Sequence, residues 1–180
     1  MKVFLETERL ILRYFTDADV DNLYQLDGDA EVMRYINGGK PSDRAQILSQ
    51  TLPLFLKSYD DDRGYGYWAA EEKSSGEFLG WFHFRLPLDG GEDIELGYRL
   101  KRAFWGKGYG TEGAIALIQK GFTELGTKRV FAKALAVNSG SIRVMEKAGL
   151  KFDKSFIETR FPGSNKEAVK YAIARNDFDL

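Results

Sequence analysis

The stretch that decides the fold is Ile94-Glu95-Leu96-Gly97-Tyr98-Arg99-Leu100, followed after a short basic loop by Trp105-Gly106-Lys107-Gly108-Tyr109-Gly110-Thr111-Glu112. Its first part alternates Ile94, Leu96, Tyr98 and Leu100 with Glu95, Gly97 and Arg99, the period of a strand. Its second part sets three glycines at alternate positions, and from Ala114 to Phe122 the apolar residues recur at helical spacing. Strand, glycine turn and helix in that order suit an anion. Glycine lets the backbone approach a ligand, and the N–H groups at a helix N-terminus favour negative charge. A phosphate site is expected here.

Spacing separates the folds that use such glycines. A P-loop needs four residues between its glycines and then Gly-Lys-Ser/Thr, whereas Lys107 is followed by Gly108. Gly108-Tyr109-Gly110-Thr111-Glu112-Gly113 spells the dinucleotide pattern, but that fold also places an acidic residue about twenty positions on. The strand expected there, Arg129 to Val137, contains neither Asp nor Glu. Lys101 to Trp105 also holds the first glycine too far from its strand for the tight dinucleotide turn. What remains is a pattern of the form R/Q-x-x-G-x-G/A.

Composition limits the partners. A chain of 180 residues suits one α/β domain, residues 1–180, able to bury about 70% of its unfolded surface. The formal net charge of −1 and the lack of a long basic run argue against a nucleic acid partner. The absence of cysteine excludes disulfides, zinc–thiolate sites and a cysteine acyl-enzyme, and the lone His83 leaves metal chemistry without ligands, so no metal is expected. Lys2, Glu6, Glu8 and Arg9 interrupt the apolar residues of Met1 to Leu12, so this is neither a signal peptide nor a membrane span. A cytoplasmic protein without a membrane partner, monomeric or homodimeric, is the simplest expectation.

Arg9 to Phe15 reads as a first strand, Thr16 as a helix cap, and Asp29 to Ile36 as a helix stopped by Asn37-Gly38-Gly39. Ser42 is expected to cap a third helix that Pro53 kinks or divides. Gly64 to Glu72 and Glu77 to Leu86 read as a hairpin, with Tyr65, Tyr67, Trp81 and His83 a possible aromatic wall for a pocket. Thr111 to Leu125 reads as a long helix, Ser139 as the cap of the next, and Gly149 as its closing glycine. A last hairpin follows from Phe152 to Ala174, turning at Pro162-Gly163. Glu95, an acid among apolar residues on a central strand, needs a reason, since an unpaired buried carboxylate is costly. It is either a functional base or half of a salt bridge to His83 or Arg85.

Trp105 to Thr111, Asn138-Ser139-Gly140-Ser141 and Glu146-Lys147-Ala148-Gly149-Leu150 together resemble the coenzyme A site of the GNAT acyltransferases. The opening Leu5-Glu6-Thr7-Glu8-Arg9-Leu10-Ile11-Leu12-Arg13 is similar to the RimJ/RimL-type branch, whose members acetylate protein N-termini and other primary amines. The resemblance spans Leu5 to about Tyr171. It implies a single α/β (α+β) GNAT-like domain: a mixed, mostly antiparallel seven-stranded sheet, helices on both faces and a splayed central strand. It further implies acetyl-CoA as cosubstrate, with the backbone of Trp105, Gly106, Lys107, Gly108, Tyr109, Gly110 and Thr111 on the pyrophosphate. Tyr98, Arg99 and Leu100 would pair the pantetheine arm, close to Gly97, and Asn138 would bond one of its amides. Lys101, Arg102, Lys107 and Lys147 are candidate phosphate charges or ordinary surface cations.

Glu95 is the expected general base, acting through water on a primary amine of a protein N-terminus or small molecule, with Asp93 and Glu92 behind it. Many members of the resembled family carry a tyrosine acid seven residues after the position of Asn138. Met145 stands there, and a thioether donates no proton. Ser141 is the nearest substitute, as a donor to the leaving sulfur or as a plain cofactor contact. The alternatives are a non-catalytic acyl-CoA-binding module and a nucleotide-binding protein.

Overall fold

The computed structural model describes residues 1–88 and 90–178. Eight strands form one sheet: β1 (Val3–Glu6), β2 (Leu10–Arg13), β3 (Gly66–Glu72), β4 (Phe78–Arg85), β5 (Ile94–Leu100), β6 (Arg129–Leu135), β7 (Lys151–Ile157) and β8 (Glu167–Ala174). Their order is β1-β2-β3-β4-β5-β6-β8-β7, and every neighbouring pair is antiparallel except β5 with β6. The sheet has one strand more than the seven expected, because Val3–Glu6 pairs with β2. Its alternation is weak, but Thr7 Oγ1 accepts the Leu10 amide at 2.9 Å and closes the turn.

The long helix α5 (Tyr109–Thr123) and α6 (Ser139–Lys147) cover one face. There Phe82, Phe84, Leu96, Leu100, Leu117, Ile118 and Phe122 form the larger core. Two glycines let α5 lie close to the sheet: a Cβ on Gly113 would stand 2.4 Å from the Phe82 ring, and one on Gly121 2.5 Å from Phe84. On the opposite face lie α1 (Val20–Asp27), α2 (Ala30–Asn37), α3 (Arg44–Gln46) and α4 (Leu52–Lys57). With them Phe15, Leu23, Leu26, Ile47, Phe55, Tyr67 and Trp81 make a second core. The period of two in β4 thus sends Phe82 and Phe84 to one core and Trp81 and His83 toward the other side.

Local chemistry moves some expected boundaries. Asp43 rather than Ser42 caps α3, its carboxylate accepting the Gln46 amide at 2.7 Å. Asn138 rather than Ser139 caps α6. A π-helical turn, Ile47–Thr51, joins α3 to α4, and Pro53 falls in the first turn of α4, where its missing N–H costs little.

The central feature is a fork. β4 and β5 pair without interruption from Gly80 opposite Leu100 to Arg85 opposite Glu95. β6 likewise follows β8 along its full length. Yet β5 and β6 pair only at Ile94 with Val130 and at Glu95 with Phe131. Each strand stays with its antiparallel neighbour, so the sheet opens between them beyond Glu95. From Leu96 onward the facing backbone edges are unpaired with one another, and polar groups left there need a partner.

Candidate active site

Two cavities meet at the fork. One, of about 530 Å³, runs over the glycine loop and is lined by Tyr98 to Leu100, Trp105, Gly106, Gly108, Gly110, Thr111, Asn138 and Ser141. The other, of about 580 Å³, lies under α2 and α4 and reaches Tyr67, Trp81, His83, Arg85, Gly97, Arg99 and Lys133. Tyr98, Arg99, Asn138 and Ser141 line both. The pair therefore behaves as one cleft with a loop end and a chamber end.

At the loop end the backbone is the functional surface. Gly106 and Gly108 have φ of +73° and +87°, values that L side chains rarely adopt, and Gly108 caps α5. The α5 ladder begins with the Glu112 amide on the Gly108 carbonyl, which leaves the N–H groups of Tyr109, Gly110 and Thr111 outside it. Such a turn fits a phosphate. Arg9 holds the loop in shape: it bonds Glu112 through Nε at 2.7 Å and the Lys107 carbonyl through Nη1 at 3.0 Å, and stacks over Tyr109. This assigns a task to the opening Thr7-Glu8-Arg9, since the Thr7 hydroxyl also donates to Glu112 at 2.6 Å.

Not every loop residue faces the cleft. The Lys107 ammonium rests over Phe104, and the Tyr109 phenol turns away to Glu72. Lys101 and Arg102 are drawn to Glu77 and Asp29. Besides Arg99, which is paired with Asp27, the cations that line the loop cavity are Lys147 and Arg143. Arg143 was missed in the sequence, although its place four residues before Lys147 puts both on one face of α6. Trp105 uses its indole N–H to bond the Leu100 carbonyl at 2.8 Å, which secures the end of β5. Gly110 makes room for a side chain: its missing Cβ would stand 3.2 Å from the Tyr98 ring.

At the junction Tyr98 and Ser141 line both cavities. Burial pushes the Tyr98 phenol up to about 12, with Ser141 pulling the other way, so it stays a neutral donor. Only the Tyr98 backbone figured in the sequence reading. Its alternation with Leu96 and Leu100, however, already turned its side chain toward α5 and α6. The Asn138 Oδ1 accepts the Ser141 amide at 3.2 Å and caps α6, so its Nδ2 is the end left for a ligand. Met145 is buried against the chamber.

The chamber end is built from side chains of many elements. Gly97 was expected where a ligand comes close; its open side instead receives the His83 imidazole, which a Cβ would meet at 2.6 Å. The His83 Nε2 is buried and has no partner among the described residues. Burial holds the imidazole well below its ordinary range, and Arg85, Arg99 and Lys133 add to that, so it is neutral. Tyr67 and Trp81 join it in the aromatic wall, whereas Tyr65 packs on Phe84 and bonds toward Thr127, away from the chamber.

Glu95, the residue expected to be the base, lies on the same face with a side chain only 12% exposed, and lines neither cavity. Its Oε2 is 2.7 Å from Arg85 Nη2 and its Oε1 3.3 Å from Lys133 Nζ, so the cross-strand salt bridge to Arg85 is present. Asp93 is committed to Arg129 at 2.8 Å. Arg99, on the face opposite Tyr98, pairs with the buried Asp27 of α1 at 2.6 Å and stacks over Trp81.

A forked parallel pair beside a glycine-capped helix is a specific arrangement, and a family model described as an acetyltransferase (GNAT) domain matches residues 9–151. The chain belongs to the GNAT acetyltransferase family. It is similar to the uncharacterized protein YkkB of Bacillus subtilis (strain 168), 34% identical over 94% of this chain and 98% of that one. The FsC-acetyl coenzyme A-N(2)-transacetylase of Aspergillus fumigatus is 29% identical over 97% of this chain and 77% of its own. A GNAT-family acetyltransferase structure from Bacillus anthracis, 25% identical, superposes with a TM-score of 0.79 over 98% of this chain and 99% of that one. Among the described residues of this GNAT chain, no helix is long and apolar enough to cross a membrane.

Proposed function

We propose that this acetyltransferase moves the acetyl group of acetyl-CoA directly to a primary amine held in the chamber. The observation that carries this reading is the fork: an unpaired β5 edge from Leu96 to Leu100 that leads from a glycine-capped helix N-terminus to a half-open chamber with an aromatic wall and three cations. The bound thioester supplies the activated acetyl group. The N–H groups of Tyr109, Gly110 and Thr111, with the loop from Trp105 to Gly108, hold the pyrophosphate. Arg143 and Lys147 add charge for the phosphates, Tyr98 to Leu100 pair the pantetheine arm through their backbone, and Asn138 Nδ2 bonds one of its amides. The resemblance of Leu5 to Arg13 to the RimJ/RimL-type branch supports either a protein N-terminus or a small-molecule amine as acceptor.

Transfer forms one N–C bond, breaks one C–S bond, takes a proton from the amine and delivers one to the thiolate. The hydroxyls of Tyr98 and Ser141 sit at the junction of the cavities and are the donors to sulfur in this reading. On the acceptor side two groups can take the amine proton: neutral His83, directly from its place in the chamber, and Glu95, through water behind Arg85 and Lys133. Without a cysteine to carry the acetyl group, a ternary complex is the direct route.

The test compares His83→Gln and Glu95→Gln by release of free CoA across pH. Loss of the base lowers turnover by about 10²–10⁴-fold at neutral pH with cofactor affinity retained. The deficit shrinks as pH rises past about 8, where an α-amine is already neutral. A loss equal at every pH assigns that residue to orienting the acceptor. Acetyl-CoA binding without CoA release from any amine would instead support the non-catalytic module, and parallel double-reciprocal lines would defeat direct transfer.

A further inference from the structure

Five buried side-chain nitrogens lack a hydrogen-bond partner among the described residues, and four belong to residues that line one chamber: Trp81 Nε1, His83 Nε2, Arg85 Nε and Arg99 Nε. Three of these four carry N–H donors that have no acceptor capacity. A buried donor with nothing to bond is costly, and three together on one chamber ask for an acceptor-rich occupant. The charges are uneven in the same direction. Arg85 and Lys133 share the single carboxylate of Glu95, and Arg99 has Asp27, so three cations face two anions. All three cationic side chains line the chamber and keep some exposure, 16% for Arg85, 14% for Arg99 and 22% for Lys133.

Taking the chamber as the acceptor site, as the proposed function does, we infer that the acceptor amine carries its own anionic oxygen group, a carboxylate or phosphate, seated against Arg85, Arg99 and Lys133. The anion balances the odd cation and brings acceptors to the side of the chamber where the unpartnered donors lie. A polyamine would instead add like charge to three confined cations, which is strongly disfavoured at short range. The anion also serves the reaction. It offsets the field of the cations that now disfavours a proton on His83, so binding of the correct substrate makes that imidazole a better proton acceptor.

The experiment measures CoA release with matched pairs: α-amino acids against their α-amides for the carboxylate, phosphoethanolamine against ethanolamine for the phosphate, and spermidine as the polycation. Calorimetric titration of the cofactor-free protein with N-acetylglycine and N-acetylglycinamide gives a second readout that does not depend on turnover. The anionic member of at least one pair should lead by about tenfold or more in kcat/KM, and N-acetylglycine should bind more tightly than N-acetylglycinamide. Arg85→Lys and Lys133→Gln, checked for folding by thermal melts, should narrow that ratio. Glu95 is a candidate base, so Glu95→Gln is read by calorimetry alone and should increase the preference for N-acetylglycine over N-acetylglycinamide, because it removes the carboxylate that competes with the anion for both cations. That gain separates recognition from simple damage. Equal or better use of the amides, ethanolamine or spermidine overturns the inference and leaves the transferase reading standing. Failure of acetyl-CoA itself to bind would overturn that reading instead. If no amine in the panel reacts, equal affinity for the charged and uncharged ligands overturns the inference.

Discussion

The two ends of the cleft are made of different material. At the loop end the surface is main chain: positive-φ glycines, the first N–H groups of α5 and the unpaired edge of β5. At the chamber end it is side chain, with Tyr67 from β3, His83 and Arg85 from β4, Arg99 from β5, Lys133 from β6 and Asp27 from α1. A backbone surface needs only that glycine, cap and strand follow in order, so it is robust to change elsewhere and blunt in its selectivity. A side-chain surface draws on the whole fold and can be altered one residue at a time. The loop end thus suits a ligand common to a family, and the chamber suits a ligand particular to this chain.

The sharpest way to break that contrast is Gly97→Ala. Its methyl would meet the His83 ring at 2.6 Å, so the imidazole that lines the chamber must shift. Displacement of a group in the chamber by about 1 Å costs on the order of 10²-fold in turnover. Acetyl-CoA affinity should stay within about twofold of the parent, an ordinary margin for a change that misses the cofactor. A matching loss of cofactor affinity, measured by calorimetry, would mean that the two ends are not separable.

Gly108→Val is the reciprocal change. A β-branched residue at φ of +87° is strained wherever it is placed, and its Cβ would also press on Arg9 Nη2 at 3.2 Å. The expected penalty of about 2 kcal/mol is roughly 30-fold in acetyl-CoA affinity, with a folded protein and an intact chamber. Gly110→Val breaks the same end by another route, by driving the Tyr98 ring off its seat rather than by crowding a phosphate.

The same division explains what could be read from the chain. The glycine loop, the strand Ile94–Leu100 and the α5 pattern are local, so propensity and spacing reveal them directly, and the shared order of motifs extends the reading to the fork. The Glu95–Arg85 bridge could be read as an alternative from adjacent strands, but Asp27 with Arg99 and Glu95 with Lys133 are 72 and 38 residues apart, and no local rule pairs them. His83 could be placed on a strand next to that of Glu95 but not opposite Gly97, because either His83 or Arg85 could have faced Glu95 and the register is set by the whole sheet. Strand β1 was missed for a related reason: an edge strand with one partner has little need of a clean alternation.

A smaller effect is expected at Arg9, which ties the N-terminal hairpin to the loop. The Glu112 carboxylate lies below its ordinary range: burial alone would raise it, and the Thr7 hydroxyl, the Arg9 amide and the Arg9 guanidinium outweigh that. A carboxyl with a lowered folded value stabilises the fold above its unfolded value of about 4.3, and that contribution is lost as pH falls through the folded value. Arg9→Ala should lower stability at neutral pH by up to about 1 kcal/mol, the top of the range for an exposed pair, since Arg9 is 41% exposed but also bonds the Lys107 carbonyl. Thermal melts from pH 7 to 3 should show a shallower acid decline for the variant. An unchanged decline would assign the acid sensitivity to Asp19, whose carboxylate is lowered against its own burial by Arg13.

The smallest effect sits where the two ends meet. Asn138 does two jobs with two atoms: Oδ1 caps α6 by accepting the Ser141 amide, and Nδ2 is the donor proposed for the cofactor. Asn138→Ala removes both and should cost about 1 kcal/mol of stability as a lost cap, and a similar amount of acetyl-CoA affinity as a lost hydrogen bond. Asn138→Asp separates them. Its carboxylate keeps the cap and suits the positive end of α6, so stability should match or exceed the parent, while the donor is gone and acetyl-CoA binds about fivefold more weakly. If Asn138→Asp binds the cofactor as well as the parent does, Asn138 serves only to start α6, and the junction donors reduce to Ser141 and Tyr98. If affinity falls while the melting temperature holds, one asparagine links the backbone-built end of the cleft to the helix that carries Ser141.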